Sequence, residues 1–220
     1  MCLFTRYGRL LILAAITTVA AVCVFGCGGS ATGGGGGSIT VIDPGECGSG
    51  TVTDSRDDKT YKTVTIGGKT WLAENLNYQT DNSWCLYDED SNCDRCGKLY
   101  DWDAASNVCP DGWRLPTNQE WNDLISIVGG KKAGGKRLRS KESWEMDGNG
   151  TDDYGFSALP CGNRSDNGHY YKEYANMIGN WWTATETKPH KANAALMIPD
   201  GAVEKSIIKG VGMSVRCVQN

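Results

Sequence analysis

Between residues 117 and 130 the chain changes period in a way that marks a helix. Trp121, Leu124, Ile125 and Val128 fall at i, i+3, i+4 and i+7, one apolar stripe on an otherwise polar run. Thr117 followed by Glu120 forms a capping box at its start, with Pro116 and Trp121 at the staple positions, and Gly129-Gly130 ends it. Just upstream, "YDWDAASNVC" spaces Trp102, Ala105 and Cys109 similarly, which predicts a helix whose last turn carries the cysteine and which Pro110 and Gly112 stop. Elsewhere the period is two. Tyr61, Thr63 and Thr65 alternate with Val64 and Ile66, and Gly67-Gly68 joins that run to "KTWLAENL" as a hairpin. "GFSAL", "NWWTATE", "AALMI" and "MSVRCVQ" predict further short strands. About two helices and several strands, set among Gly, Asn, Asp and Ser, describe one loop-rich α+β domain over residues 51–220. Its length of about 170 residues suits a single core.

The segment before it cannot build a core. Residues 1–26 carry Arg6 and Arg9, then the apolar "LLILAAITTVAAVCVF", then Gly26, the layout of a secretory signal rather than a membrane span. "VFGC", Val24 to Cys27, resembles a bacterial lipoprotein box, although Phe25 stands where a small residue is usual. That resemblance implies cleavage before Cys27, acylation of its thiol and anchoring in a membrane. The absence of Asp after Cys27 favours the outer membrane, and the chain is read as a cell-surface lipoprotein. Residues 27–50 include "GGSATGGGGGS", a flexible tether. Removal of Arg6 and Arg9 leaves 20 basic against 26 acidic residues, a net of −6 that argues against nucleic acid as a partner.

Six motifs in order carry a family resemblance: "YKTVTIGGKTWLAENLNY", "GKLYDWDAA", "CPDGWRLPTNQEW", "DDYGFSALP", "WWTATE" and "SVRCV". Over about residues 53–219 the chain resembles the Fibrobacter succinogenes major paralogous domain, a family of bacterial surface or secreted modules. That family is similar to the C-type-lectin-like fold, and brings no settled activity with it. The resemblance implies a small, mostly antiparallel sheet with two short helices. It also implies that Cys109 pairs with Cys217, fastening the first helix to the last strand.

Seven of the ten cysteines lie beyond Cys2, Cys23 and Cys27. In an oxidising envelope, disulfides are the default for such a set. Cys85 and Cys93 are spaced for a local loop, and Cys96 and Cys161 stand as a third pair, at places where the family usually lacks cysteine; Cys47 is left over. Two other readings compete. Cys93 to Cys96 has the C-x-x-C spacing of a redox dithiol but no βαβ surroundings, and Cys85, Cys93, Cys96 and Cys109 are enough ligands for zinc without the spacing of a zinc ribbon.

Other chemistry is thin. "GKKAGGKR", Gly130 to Arg137, follows a phosphate-binding loop for seven positions but ends in Arg137 where Ser or Thr must hold magnesium, so it reads as a solvated basic loop. His169 and His190 lack the spacing of metal ligands or of a nucleophile's base, and no G-x-S-x-G occurs. No cofactor is expected. Calcium is the one ion with a candidate set, in which Asp147, Asn149, Asp152 and Asp153 supply oxygens in a glycine-bearing loop; the loop does not follow the EF-hand pattern, and ordinary turn chemistry explains it as well.

Eight tryptophans and nine tyrosines raise a carbohydrate question. Trp71, Trp102 and Trp121 fall on core faces. Trp84, Trp144, Tyr170, Tyr171 and Tyr174 lie in loops and, with Trp182 of the pair Trp181-Trp182, are the candidates for an exposed platform. The expected function is a non-catalytic surface lipoprotein that displays a lectin-like module for adhesion or recognition, of polysaccharide or of a surface protein. A structural envelope protein without a ligand is the alternative. An enzyme related in fold to the formylglycine-generating enzymes ranks third, because the reactive cysteine pair that chemistry needs is not recognisable.

Overall fold

The structure is a computed structural model and describes residues 48–172 and 176–220. Cys27, Cys47 and Tyr174 lie outside those residues. The first strand, Gly48–Thr53 (β1), pairs antiparallel with Thr60–Ile66 (β2), so the folded body begins inside the stretch read as tether. Gly67 and Gly68, both at positive φ, turn the chain into Lys69–Leu72 (β3), the hairpin predicted from sequence. Ser83–Trp84 (β4) and Leu99–Tyr100 (β5) form a two-stranded ribbon around a single 3-10 turn, Leu86–Asp88, and a helix, Asp90–Cys96 (α1). Then come Trp102–Ala105 (α2), Trp113–Arg114 (β6), Asn118–Ile127 (α3) and Gly130–Leu138 (α4). Gly179–Lys188 (β7), Lys191–Ile198 (β8) and Gly201–Ile208 (β9) make a three-stranded antiparallel meander. Val218–Gln219 (β10) returns to the first sheet, whose order is β1-β2-β3-β10-β6.

Four differences from the sequence reading have local causes. α2 stops at Ala105, and Cys109 lies beyond it instead of in its last turn. Ser106 Oγ donates to the Trp102 carbonyl at 2.7 Å and Asn107 Nδ2 to the Asp103 carbonyl at 3.3 Å, so short polar side chains take over the helix's last acceptors. "GKKAGGKR" is the helix α4, not a loop. Its glycines are packing residues: a Cβ on Gly134 would stand 2.8 Å from the Ile125 carbonyl oxygen, and one on Gly135 2.8 Å from Gly201. "GFSAL" forms no strand, with Ser157 at φ 50 and only Ala158 bridged, to Arg139. "MSVRCVQ" is a strand only at its end; before that it makes isolated bridges, Met213 to Tyr100 and Ser214 to Trp181.

Two cores meet at β7. Trp181 packs with Trp71, Trp121 and Phe156, while Trp182 packs with Tyr100, Trp113 and Val215. Successive strand residues point to opposite faces, so each tryptophan fills one core and both are fully buried. Between the cores sits Asn75. Its Oδ1 accepts from Trp181 Nε1 and from Arg216 Nε, both at 2.9 Å, and its Nδ2 donates to the Cys96 carbonyl at 2.8 Å and to Ser214 Oγ at 3.2 Å. Asn75 thereby ties α1, β7 and the approach to β10 to one side chain.

The capping box of α3 is present as predicted. Thr117 Oγ1 accepts from the Glu120 amide at 3.2 Å, and the Glu120 carboxylate accepts from the Thr117 amide at 2.9 Å. The same carboxylate takes Arg114 Nη2 at 2.6 Å and Lys69 Nζ at 2.9 Å, which clamps α3 to β6 and β3. Those donors, Arg114 first, hold its carboxyl well below the ordinary 4.5. A depressed carboxyl stabilises the fold fully above the unfolded value and less as pH falls below it. Glu120→Gln keeps the backbone bond but loses both ion pairs, whose cations are partly exposed. It is expected to cost about 1–2 kcal/mol at pH 7 and to flatten the decline in stability below about pH 4.5, read by denaturant midpoints from pH 7 to 3.

Candidate functional site

Among the described residues three disulfides fix the fold: Cys85–Cys93, Cys96–Cys161 and Cys109–Cys217, with Cα separations of 5.0, 5.7 and 5.9 Å. The C-x-x-C pair therefore bonds outward from α1, Cys93 to the loop before it and Cys96 to a segment 65 residues away. With these six sulfurs in disulfides, the dithiol and zinc readings do not hold. The helix becomes a brace for two loops, one containing Tyr87 and the other leading to Tyr170.

Those loops bring aromatic rings together. Tyr87 and Asp88 both sit in the left-handed region, at φ 62 and 57, a conformation that costs a non-glycine residue energy and that the Cys85–Cys93 closure helps to impose. Tyr87 thereby meets Tyr170 edge-on, ring centroids 5.4 Å apart, with Lys172 Nζ 5.2 Å from the Tyr87 ring centroid. The Tyr170 hydroxyl lies 2.8 Å from the Asp88 carboxylate and 3.0 Å from the Cys85 carbonyl. Burial first, and the neighbouring carboxylate second, push its pKa up to about 12, so it remains a neutral donor. Tyr171, next in the chain, is half exposed and borders a shallow depression with Tyr87, Asn163 and Asn176. Trp84 continues the surface through Arg164, whose guanidinium lies 4.3 Å from its ring centroid and whose backbone bridges Tyr170. The depression holds only about 40 Å³, too little to enclose a small ligand, so the surface is a ledge rather than a pocket.

Of the residues singled out as a platform, Tyr170 and Tyr171 lie here beside Tyr87, and Trp84 is linked to them through Arg164. Trp144 and Trp182 do not, and their expected exposure is corrected. Trp144 is buried with Nε1 donating to the Ala158 carbonyl at 3.0 Å and to Ser140 Oγ at 3.1 Å, anchoring its own loop, and Trp182 Nε1 donates to the Tyr100 carbonyl at 2.8 Å inside the core. Tyr87, Arg164 and Lys172 are not among the residues that the sequence singles out. The signal available for Tyr87 was its place inside the loop that Cys85 and Cys93 close.

The acidic loop does not gather its oxygens. Asn149 Oδ1 accepts from the Trp144 amide at 3.0 Å, Asp152 takes the Ser157 amide at 2.7 Å and Ser157 Oγ at 2.5 Å, Asp153 lies 3.5 Å from Arg137 Nε, and Asp147 is exposed. Asn149, Asp152 and Asp153 are committed to different turns or ion pairs. Among the described residues no group of three or more His, Cys, Asp or Glu is placed to hold a metal.

Fold and ledge together define a disulfide-stapled, loop-rich α+β domain, mostly antiparallel in its sheets. The sequence profile of the Fibrobacter succinogenes major domain matches residues 64–219, well over half of the chain, and the chain belongs to that family. Comparison with curated proteins and with solved structures gave no match.

Proposed function

We propose that this chain is a non-catalytic recognition module that binds polysaccharide on the ledge formed by Trp84, Tyr87, Tyr170 and Tyr171. The observation that carries the reading is that Tyr87, Tyr170 and Tyr171, with Trp84 joined to them through Arg164, stand on loops that two disulfides hold in place. Rigid aromatic rings with polar edges supply apolar contact to a sugar face at little entropic cost, and Asp88, Asn163 and Asn176 stand beside them for the hydroxyls. The Cys109–Cys217 link, between the segment after α2 and the last strand, supports a C-type-lectin-like architecture. Oxidation of the six described cysteines supports a binding role over a thiol enzyme. In this reading Cys27 carries the lipid, the glycine-rich stretch holds the module off the outer membrane, and the ledge faces outward from the cell surface.

The test is retention on a panel of plant and envelope polysaccharides. Tyr171→Ala, on a half-exposed side chain, is expected to weaken the best ligand about tenfold with the fold intact by circular dichroism. EDTA is expected to leave binding unchanged, because Asn149, Asp152 and Asp153 of the acidic loop are engaged elsewhere. No retention across the panel would favour a structural envelope role instead.

A further inference from the structure

A second concavity, of about 350 Å³, lies across α1 from the ledge. Cys93, Asp94 and Arg95 line it, whereas Cys161, the disulfide partner of Cys96, borders the ledge. At its floor is Arg216, fully buried. Four of the guanidinium's five N–H groups are occupied, by Asn75 Oδ1 at 2.9 Å and by the carbonyls of Leu72, Phe156 and Ser157 at 3.2, 2.5 and 3.0 Å. All four acceptors are neutral. Among the described residues no carboxylate comes within ion-pair distance of Arg216, although buried charges are ordinarily paired. Those contacts hold the Phe156-Ser157 loop against β3, but they cancel none of the charge.

The walls add to it. Lys62 and Arg95 are exposed on the groove and form no ion pair among the described residues. Lys59 is engaged by Asp57 at 3.3 Å, and the groove's own carboxylates are Glu74, which accepts from the Lys62 amide at 2.7 Å, and Asp94. Lys62, Arg95 and Arg216 thus face the two acids of the groove lining, with Asp152 set back behind Ser157, where it holds the Ser157 amide and hydroxyl and acts on Arg216 only at longer range. Thr60, Asn77 and Ser157 fill the rest of the rim with short hydroxyl and amide groups, matched to a hydroxylated ligand better than to apolar side chains.

We propose that this groove binds the carboxylate of an acidic saccharide of the uronic-acid class, seating the acid over Arg216 between Lys62 and Arg95. The site stands on its own geometry and does not depend on the ledge. Calorimetric titration of the protein with trigalacturonate, against maltotriose as a neutral control, tests it. Trigalacturonate is expected to bind and maltotriose not to bind at the groove. Affinity should fall as salt rises from about 50 to about 500 mM. The double substitution Lys62→Ala/Arg95→Ala, confined to exposed side chains, should weaken binding about tenfold, and Tyr171→Ala should leave it unchanged. No binding of trigalacturonate, or binding that survives the double substitution, overturns the proposal. So does binding lost with Tyr171→Ala alone, which would assign the acid to the ledge.

Discussion

Cys109→Ser/Cys217→Ser is expected to lower the stability of the folded domain by about 4–5 kcal/mol, the chain-entropy value for a loop whose ends are separated by 108 residues. A domain of this size holds only about 5–15 kcal/mol in total, so the variant should melt 10 °C or more lower. The effect is large for a second reason. Cys217 is fully buried beside Leu72, which donates its amide to the Cys217 carbonyl at 2.9 Å, so the link pins β10 between β3 and β6 in the five-stranded sheet. Removing Cys85–Cys93, which closes a separation of 8 residues, should cost only about 2.5 kcal/mol on the same relation, and should loosen the ledge more than the core. Denaturant midpoints of the two variants against the parent check the order. Equal losses, or ready alkylation of Cys109 in the folded protein, would remove the link from its proposed role as the main staple.

What could be read from the sequence was whatever a short stretch decides for itself. The helix α3 was legible because Thr117, Glu120 and an apolar stripe of four residues all lie within twelve positions. The hairpin at Gly67-Gly68 was legible for the same reason, since the turn residues and the alternation sit side by side. α4 was not legible, because Gly134 and Gly135 look like loop residues until Ile125 and Gly201 are placed against them. The burial of both Trp181 and Trp182 also needed a second core on the far side of β7, which no local pattern announces. For the proposed ledge, composition singled out aromatic residues, of which Tyr170 and Tyr171 lie beside Tyr87 and Trp84 stacks on the neighbouring Arg164. Tyr87 escaped notice because its orientation comes from a left-handed backbone and a disulfide, neither of which leaves a periodic trace.

Asn75→Ala is expected to cost about 3–5 kcal/mol, the largest effect of any single substitution at a polar side chain considered for this protein. The loss comes from what remains behind. Trp181 Nε1, Arg216 Nε and the Cys96 carbonyl would each stay buried without the partner they now have at 2.8–2.9 Å. Arg216 matters most among them, since burial already lowers its pKa to about 9, its direct hydrogen-bond acceptors are all neutral, and the nearby carboxylates of Asp152 and Glu74 offset that burial only in part. Asn75→Asp distinguishes this account from simple loss of volume. An aspartate would still accept from Trp181 and Arg216, could take a hydrogen bond from the Ser214 hydroxyl, and would bring a counter-charge to the guanidinium, while forfeiting the bond to the Cys96 carbonyl. Stability should therefore rank Asn75 above Asp above Ala, by denaturant midpoint, with the near-ultraviolet signal of Trp181 perturbed most in the alanine variant. If aspartate proves as damaging as alanine, the charge on Arg216 is already balanced within the fold, and the groove above it has lost its reason to attract an acid.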